Sequence, residues 1–261
     1  MIKKLALVFG GEPRFIEKGF NENKIFLQWL KDNYDVDVHV HCWNHRRIWS
    51  SDDHSTKRFQ GRMGGNTYYP SDGTSRIERN LLEEDVRREF DVYKPKTFVI
   101  EKYNDSVYTI DGGFPTGQYV SRAKAYKQAI EYAQYDYVWI TRTDLVYDAD
   151  QPTTFPFLEE FDNQILTEGI RMRNGKTFTA EDWFFAGKPN LFTNLIEFAD
   201  DPLRQITNPQ FGGEWFINLR AANEVRNSHI WQALITGGSG EGTFTHDSRV
   251  NWKHWKLLCD D

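Results

Sequence analysis

The sequence predicts an α/β fold, a mixed sheet flanked by helices that passes into an α+β C-terminal half, on three observations. An apolar strand, Lys4 to Phe9, closes on Gly10-Gly11 and is followed by a helical segment and then an alternating strand. Strand, helix, strand is the opening of a βαβ unit. Further on, "TGQYVSRAKAYKQAIEYAQ" sets Val120, Ala123, Tyr126, Ile130 and Ala133 on one stripe at helical spacing, with Arg122, Lys124 and Lys127 off it. That helix feeds Tyr137-Val138-Trp139-Ile140, an apolar run without alternation, the pattern of a strand covered on both faces.

Taken in order, "NENKIFLQWLKDN" is the first helix, with Ile25, Phe26, Trp29 and Leu30 on one face and Asn21 or Asn23 as N-cap. "DVDVHVHCW" alternates, Val36, Val38, Val40 and Cys42 against Asp37, His39, His41 and Trp43. Residues 50–76 are polar, glycine-rich and aperiodic, and read as a long loop. Helical character returns over 77–90, and "KTFVIEKY" is a third strand. Beyond Asp150 short strands follow, with Asn174-Gly175 as a two-residue hairpin turn. Pro189 then opens a helix whose Leu191, Leu195 and Phe198 share a face. A further helix over 214–225, a strand at "HIWQALIT" and a glycine-rich tail from Gly237 complete the reading.

Composition narrows the function. The 261 residues suffice to bury a core without disulfides, and two isolated cysteines, Cys42 and Cys259, suit a reducing compartment, so a cytoplasmic location is expected. No apolar run approaches the roughly 18 residues of a membrane span. "MIKKLALVFGGEPRF" has two lysines before an apolar stretch but no cleavage site, and reads as a strand rather than a signal peptide. A net charge of −6 argues against a nucleic-acid surface. The 9 Trp, 12 Tyr and 19 Phe serve either a bulky core or a surface that stacks on sugars or bases.

The chemistry gathers where the central apolar strand stops, on Thr141-Arg142-Thr143-Asp144. In a parallel α/β sheet ligands bind outside the carboxyl ends of the strands. A carboxylate there holds a divalent cation or accepts ribose hydroxyls, while Arg142 offers a fork that matches phosphate oxygens. With the strand extended that far, Arg142 and Asp144 share a face. The spacing reads as a phosphate-plus-metal site.

The motif "Q-x-x-S-x-x-K-A" followed by "YDYVWITRTDL" resembles glycosyltransferases of the GT-A type, a Rossmann-like fold. More narrowly, it resembles bacterial and viral sugar transferases with a "G-x-x-R-F" strand end, here Gly11 to Phe15, and "R-x-D-L" in place of Asp-x-Asp. "Asp-Val-His-Val-His-Cys-Trp" and "Glu-Asp-Trp-Phe-Phe-Ala-Gly" (181–187) match further segments of that group. The resemblance implies one domain over 1–261, with a nucleotide-binding half (1–150) and an acceptor-side half (151–261). It implies a donor that is a nucleoside-diphosphate sugar, UDP-linked, and a glycan or other hydroxyl acceptor. Asp144 takes the place of the last motif acid, which binds Mn²⁺ or Mg²⁺, and His246, with His254 second, that of a C-terminal metal ligand. Arg142 replaces the first acid and bears part of the cation's work. Gly10 and Gly11 allow close approach of the backbone to a nucleotide; neither G-x-G-x-x-G nor G-K-[ST] is present. Arg14 and Arg122 are candidates for the diphosphate. Asp182 and Glu214 are candidates for the general base an inverting transfer requires, Glu214 equally a first-turn helix acid.

Two rival readings remain. "HVHCWNH" brings His39, His41 and His45 close together, a spacing that suits a transition metal and hence a metal-dependent hydrolase. The aromatic content also fits a non-enzymatic carbohydrate-binding protein. Residues 50–76 are expected to act as a lid over bound ligand.

Overall fold

The computed structural model describes residues 2–48, 58–60, 66–68, 76–104, 109–110, 114–115, 117–147, 155–167, 170–173, 176–180, 184–200, 244–247, 249–250 and 252–253. Seven strands form the main sheet: β1 (Lys3–Gly11), β2 (Tyr34–Trp43), β3 (Thr97–Glu101), β4 (Tyr137–Thr141), β5 (Ile165–Thr167), β6 (Phe185–Gly187) and β7 (Phe244–His246). Their order across the sheet is β7-β5-β6-β4-β1-β2-β3. The β3, β2, β1 and β4 strands are mutually parallel, β6 runs antiparallel to both β4 and β5, and β7 is parallel to β5. The sheet is therefore mixed, as expected, and the C-terminal half supplies three of its strands.

Helices cover both faces, which is why β4 is buried along its whole length. On one side lie α1 (Ile16–Glu22), α2 (Lys24–Asn33) and α3 (Glu83–Phe90), packed against Leu5, Leu7, Val38, Val40 and Trp139. On the other lie α4 (Gly117–Tyr132) and α5 (Asn194–Asp200), packed against Ala6, Val8, Val138 and Ile140. The β1–α–β2 progression moves outward to β3, and then α4 carries the chain back across to the other flank of β1, where β4 adds. The strand order thus reverses between β1 and β4.

Several expectations change on contact with the fold. In α2 the inward residues are Phe26, Leu27, Trp29 and Leu30, while Ile25 is exposed. Asn23 is the N-cap of α2 but makes no capping bond with its side chain; it is used elsewhere, as shown below. Residues 76–79 form a strand paired with His45–Ile48, so the helix expected over 77–90 starts only at Glu83. The expected hairpin forms, Ile170–Arg173 against Lys176–Ala180 with Arg173 opposite Lys176. Two short paired strands, Arg58–Gln60 and Asn66–Tyr68, lie within the stretch read as loop. The rest of that stretch, the helix over 214–225 and the "HIWQALIT" strand lie outside the described residues.

Candidate functional site

The switch between β1 and β4 is where a doubly wound sheet leaves a crevice at its carboxyl edge. After β1 the chain turns sharply: Gly11 has φ 129°, and Phe15 sits in the left-handed region at φ 51°. A phenylalanine there costs on the order of 1–2 kcal/mol. The turn aims Arg14 across to the end of β4.

That strand ends at Thr141 and does not extend to Asp144, so Arg142 and Asp144 occupy a tight turn rather than one face of a strand. They meet all the same. Arg142 donates through Nε and Nη2 to the two oxygens of Asp144, at 2.7 and 2.6 Å. Arg14 adds Nη2 to Oδ2 at 2.8 Å. The Asp144 side chain is only 3% exposed, whereas Arg14 and Arg142 are 18% and 17% exposed. A buried carboxylate thus anchors two guanidinium groups at the carboxyl edge of the sheet. Glu12, 3.6 Å from Arg14 Nε, also faces His45 Nε2 at 3.4 Å.

The turn is fixed from behind. Thr143 Oγ1 donates to the Arg14 carbonyl at 2.7 Å. Asn23 bridges the loop, donating to Leu145 O and accepting from Tyr147 N, both at 2.8 Å. The Tyr147 hydroxyl returns to Trp139 Nε1 and Thr141 Oγ1. Gly19 brings α1 so close that a Cβ there would lie 2.0 Å from the Thr143 carbonyl oxygen. Such bracing is what holds charged groups in place before a ligand arrives.

Gly10 and Gly11 stand at this edge, for a packing reason first. A Cβ on Gly10 would meet Arg122 Cα at 2.4 Å, so the glycine lets α4 lie directly on β1. Arg122, although off the apolar stripe of the helix, is 1% exposed. The helix is buried over more than its apolar stripe, and its basic residue goes inside with it.

The histidines separate into individual structural roles. His39 is fully buried and bonds Thr97 Oγ1 through Nδ1 (2.9 Å) and the Tyr135 hydroxyl through Nε2 (2.8 Å). Burial lowers its pKa to about 4. His41 Nδ1 lies 2.9 Å from Ser121 Oγ, and its Nε2 is 3.4 Å from Glu101. The latter contact makes no well-formed hydrogen bond, and is better described as an electrostatic attraction. Ser121 Oγ also accepts the Gly11 N–H at 2.7 Å and lies 2.8 Å from the His41 carbonyl. The hydroxyl has one proton to give. Given to Nδ1, it leaves Nε2–H facing the Glu101 carboxylate; given to the carbonyl, it leaves an Nε2 lone pair there. The first arrangement is the attractive one, with His41 neutral because burial lowers its pKa. Glu101 is held near 2, by the His41 ring first and then by Lys124. Among the described residues no group of three or more His, Cys, Asp or Glu is placed to hold a metal.

Of the residues read from sequence, Gly10, Gly11, Arg14, Arg122, Arg142 and Asp144 come together at one edge. His246 lies in β7, its backbone opposite Thr167, with β5 and β6 between it and β4. Three strand spacings are about 14 Å, so the sheet does not by itself bring it beside Asp144. Asp182, Glu214 and His254 lie outside the described residues. Glu12, Ser121 and Glu101 went unnoticed in the sequence. Ser121 stood in the quoted "Q-x-x-S" motif, but its partners are 80 and 110 residues away.

A divalent cation fits these described residues poorly. Both oxygens of Asp144 are covered by guanidinium groups, and two cations at under 3 Å oppose a third. No family model and no curated protein matches the chain. Among the described residues no helix is long and apolar enough to cross a membrane.

Proposed function

We propose that the chain is a glycosyltransferase of GT-A-like architecture that moves a hexose from a nucleoside-diphosphate sugar, UDP-linked, to a glycan or other hydroxyl acceptor. The observation that carries this reading is the convergence of Arg14 and Arg142 on Asp144 at the β1/β4 switch point. The reaction breaks the bond between C1 of the sugar and the diphosphate oxygen, and charge develops on the departing diphosphate. Two guanidinium groups held in place by a buried carboxylate stabilise that charge directly. On this reading the arginine that replaces the first motif acid supplies the positive charge that the resemblance assigns to a cation. In an inverting transfer, Asp182 or Glu214 takes the proton from the acceptor hydroxyl. The absence of a disulfide framework suits a cytoplasmic donor pool.

Calorimetric titration of UDP tests the donor site. Binding to the wild type, weakened by Arg142→Ala and Arg14→Ala, supports the reading. Failure of UDP, GDP and other nucleotides to bind would end it.

A further inference from the structure

A second feature lies along α2, on the face of the sheet that α1, α2 and α3 cover. Between α2, β2 and the segment leading into β3 is a cavity of about 230 Å³. Its walls are apolar: Leu7, Leu30, Val36 and Val38 form the floor, with Tyr93 at one side. It adjoins a wider depression of about 460 Å³ along α2, and the two share Phe20, Leu27 and Lys31. Together they make an elongated trough that ends at Ile25, which is 39% exposed on an otherwise well-packed helix.

Its charge is one-sided. Lys31, Lys94 and Lys96 line the cavity, Lys24 joins Lys31 at the outer depression, and no carboxylate lines either. Lys96 reaches Asp37 at 3.7 Å. The other three make no ion pair among the described residues. Four lysines around an apolar recess run against a chain whose net charge is −6. Lys31 closes α2 just before β2 begins, and Lys94 and Lys96 immediately precede β3. Lys31, Lys94 and Lys96 therefore lie at the amino ends of these parallel strands, away from the Arg14–Asp144–Arg142 edge, while Lys24 stands at the other end of α2.

We propose that this trough binds a single hydrocarbon chain carrying an anionic head group, taken up as a monomeric amphiphile. The recess is concave and apolar and runs on from the cavity into the depression along α2, which suits a hydrocarbon chain. The apolar floor supplies the burial energy, and the lysine rim supplies charge complementarity for a phosphate or carboxylate. The site is independent of the donor-binding reading, and its test does not require activity.

Alkyl phosphates of eight, ten and twelve carbons, each below its micelle-forming concentration, are titrated into the full chain by calorimetry. The expected result is saturable binding of one amphiphile per chain. Affinity rises about fourfold per added methylene until the trough is full. Decanol binds at least tenfold more weakly than decyl phosphate, and salt weakens the phosphate alone. The Lys31→Glu/Lys94→Glu variant lowers affinity at least tenfold with an unchanged circular dichroism spectrum. Val36→Phe, which fills the floor, lowers it for every chain length and serves if the lysine variant is poorly folded. The proposal is overturned by non-saturable uptake, by equal affinity for decanol, or by affinity that ignores both variants. Binding to anionic vesicles without binding to the monomeric amphiphile also overturns it, as does self-association that buries the trough.

Discussion

Two groups of polar residues, both toward the carboxyl ends of central strands, looked alike as ligand sites: His39 and His41 in β2 with His45 just beyond it, and Arg142 with Asp144 after β4. The structure treats them in opposite ways. The His39 and His41 rings are neutral and fully buried, and they contact Thr97, Tyr135, Ser121 and Glu101 from neighbouring elements. Their polarity is consumed in joining β2 to β3 and α4. The second group concentrates full charges at the switch point and leaves the two arginines partly open to solvent. Buried polarity tied to neighbouring elements marks structure; braced, partly exposed cations at the strand ends mark a place for an anion.

The contrast is broken most directly by exchanging its terms. Arg142→Ala should lower nucleotide affinity at least a hundredfold, because it removes a bidentate donor and leaves Asp144 short of a partner. Arg142→Lys should not restore it, since an ammonium lacks the fork. His39→Ala, measured in the same titration, should leave affinity within about twofold. A comparable loss in both variants would erase the distinction.

Stability gives the next effects. Gly10→Ala should cost about 3 kcal/mol or more in urea denaturation, because backbone atoms of Arg122 stand in the way and cannot rotate aside. Acid should follow. The His39 pKa is about 4 in the folded chain against 6.5 unfolded. The unfolded state therefore binds the proton first as pH falls. Stability from this source is complete above 6.5 and drains away down to about 4, by on the order of 3 kcal/mol. His41 is shifted in the same direction, so the loss is added to rather than offset. Urea midpoints at pH 7 and pH 4.5 measure it, and a flat profile would mean that the histidines titrate as if exposed. The smallest effect is His39→Ala itself, about 2 kcal/mol from the two hydrogen bonds lost, since Thr97 keeps Gln128 and Tyr135 keeps Asp37 as partners.

How much of this was readable beforehand follows from what local pattern can carry. The β4 run was legible because an unbroken apolar stretch needs cover on both faces, and the α4 stripe because helical spacing survives a few polar interruptions. The site edge was legible in part, since Arg142 and Asp144 are two residues apart. Their pairing with Arg14 was not, because it depends on a reversed strand order that no window of sequence contains. The burial of Arg122 was not legible for a related reason: it follows from Gly10 allowing α4 onto β1. Ile25 and Leu27 exchanged places because the helix stripe is wide and its edge is set by the neighbours, not by period. Asn23 shows the limit well. Its residue type suggested a cap, whereas its side chain holds the Leu145–Tyr147 loop on the far side of the chain.

The central claim is that an arginine pair, anchored by Asp144, does the work assigned elsewhere to a cation. One calorimetric comparison tests it: UDP titrated into the wild type in excess EDTA and again with Mn²⁺. The account predicts saturable binding in EDTA, with affinity changed no more than about threefold by the metal. Binding that appears only with Mn²⁺, and vanishes in Asp144→Asn, would contradict it and return Asp144 to the role of metal ligand.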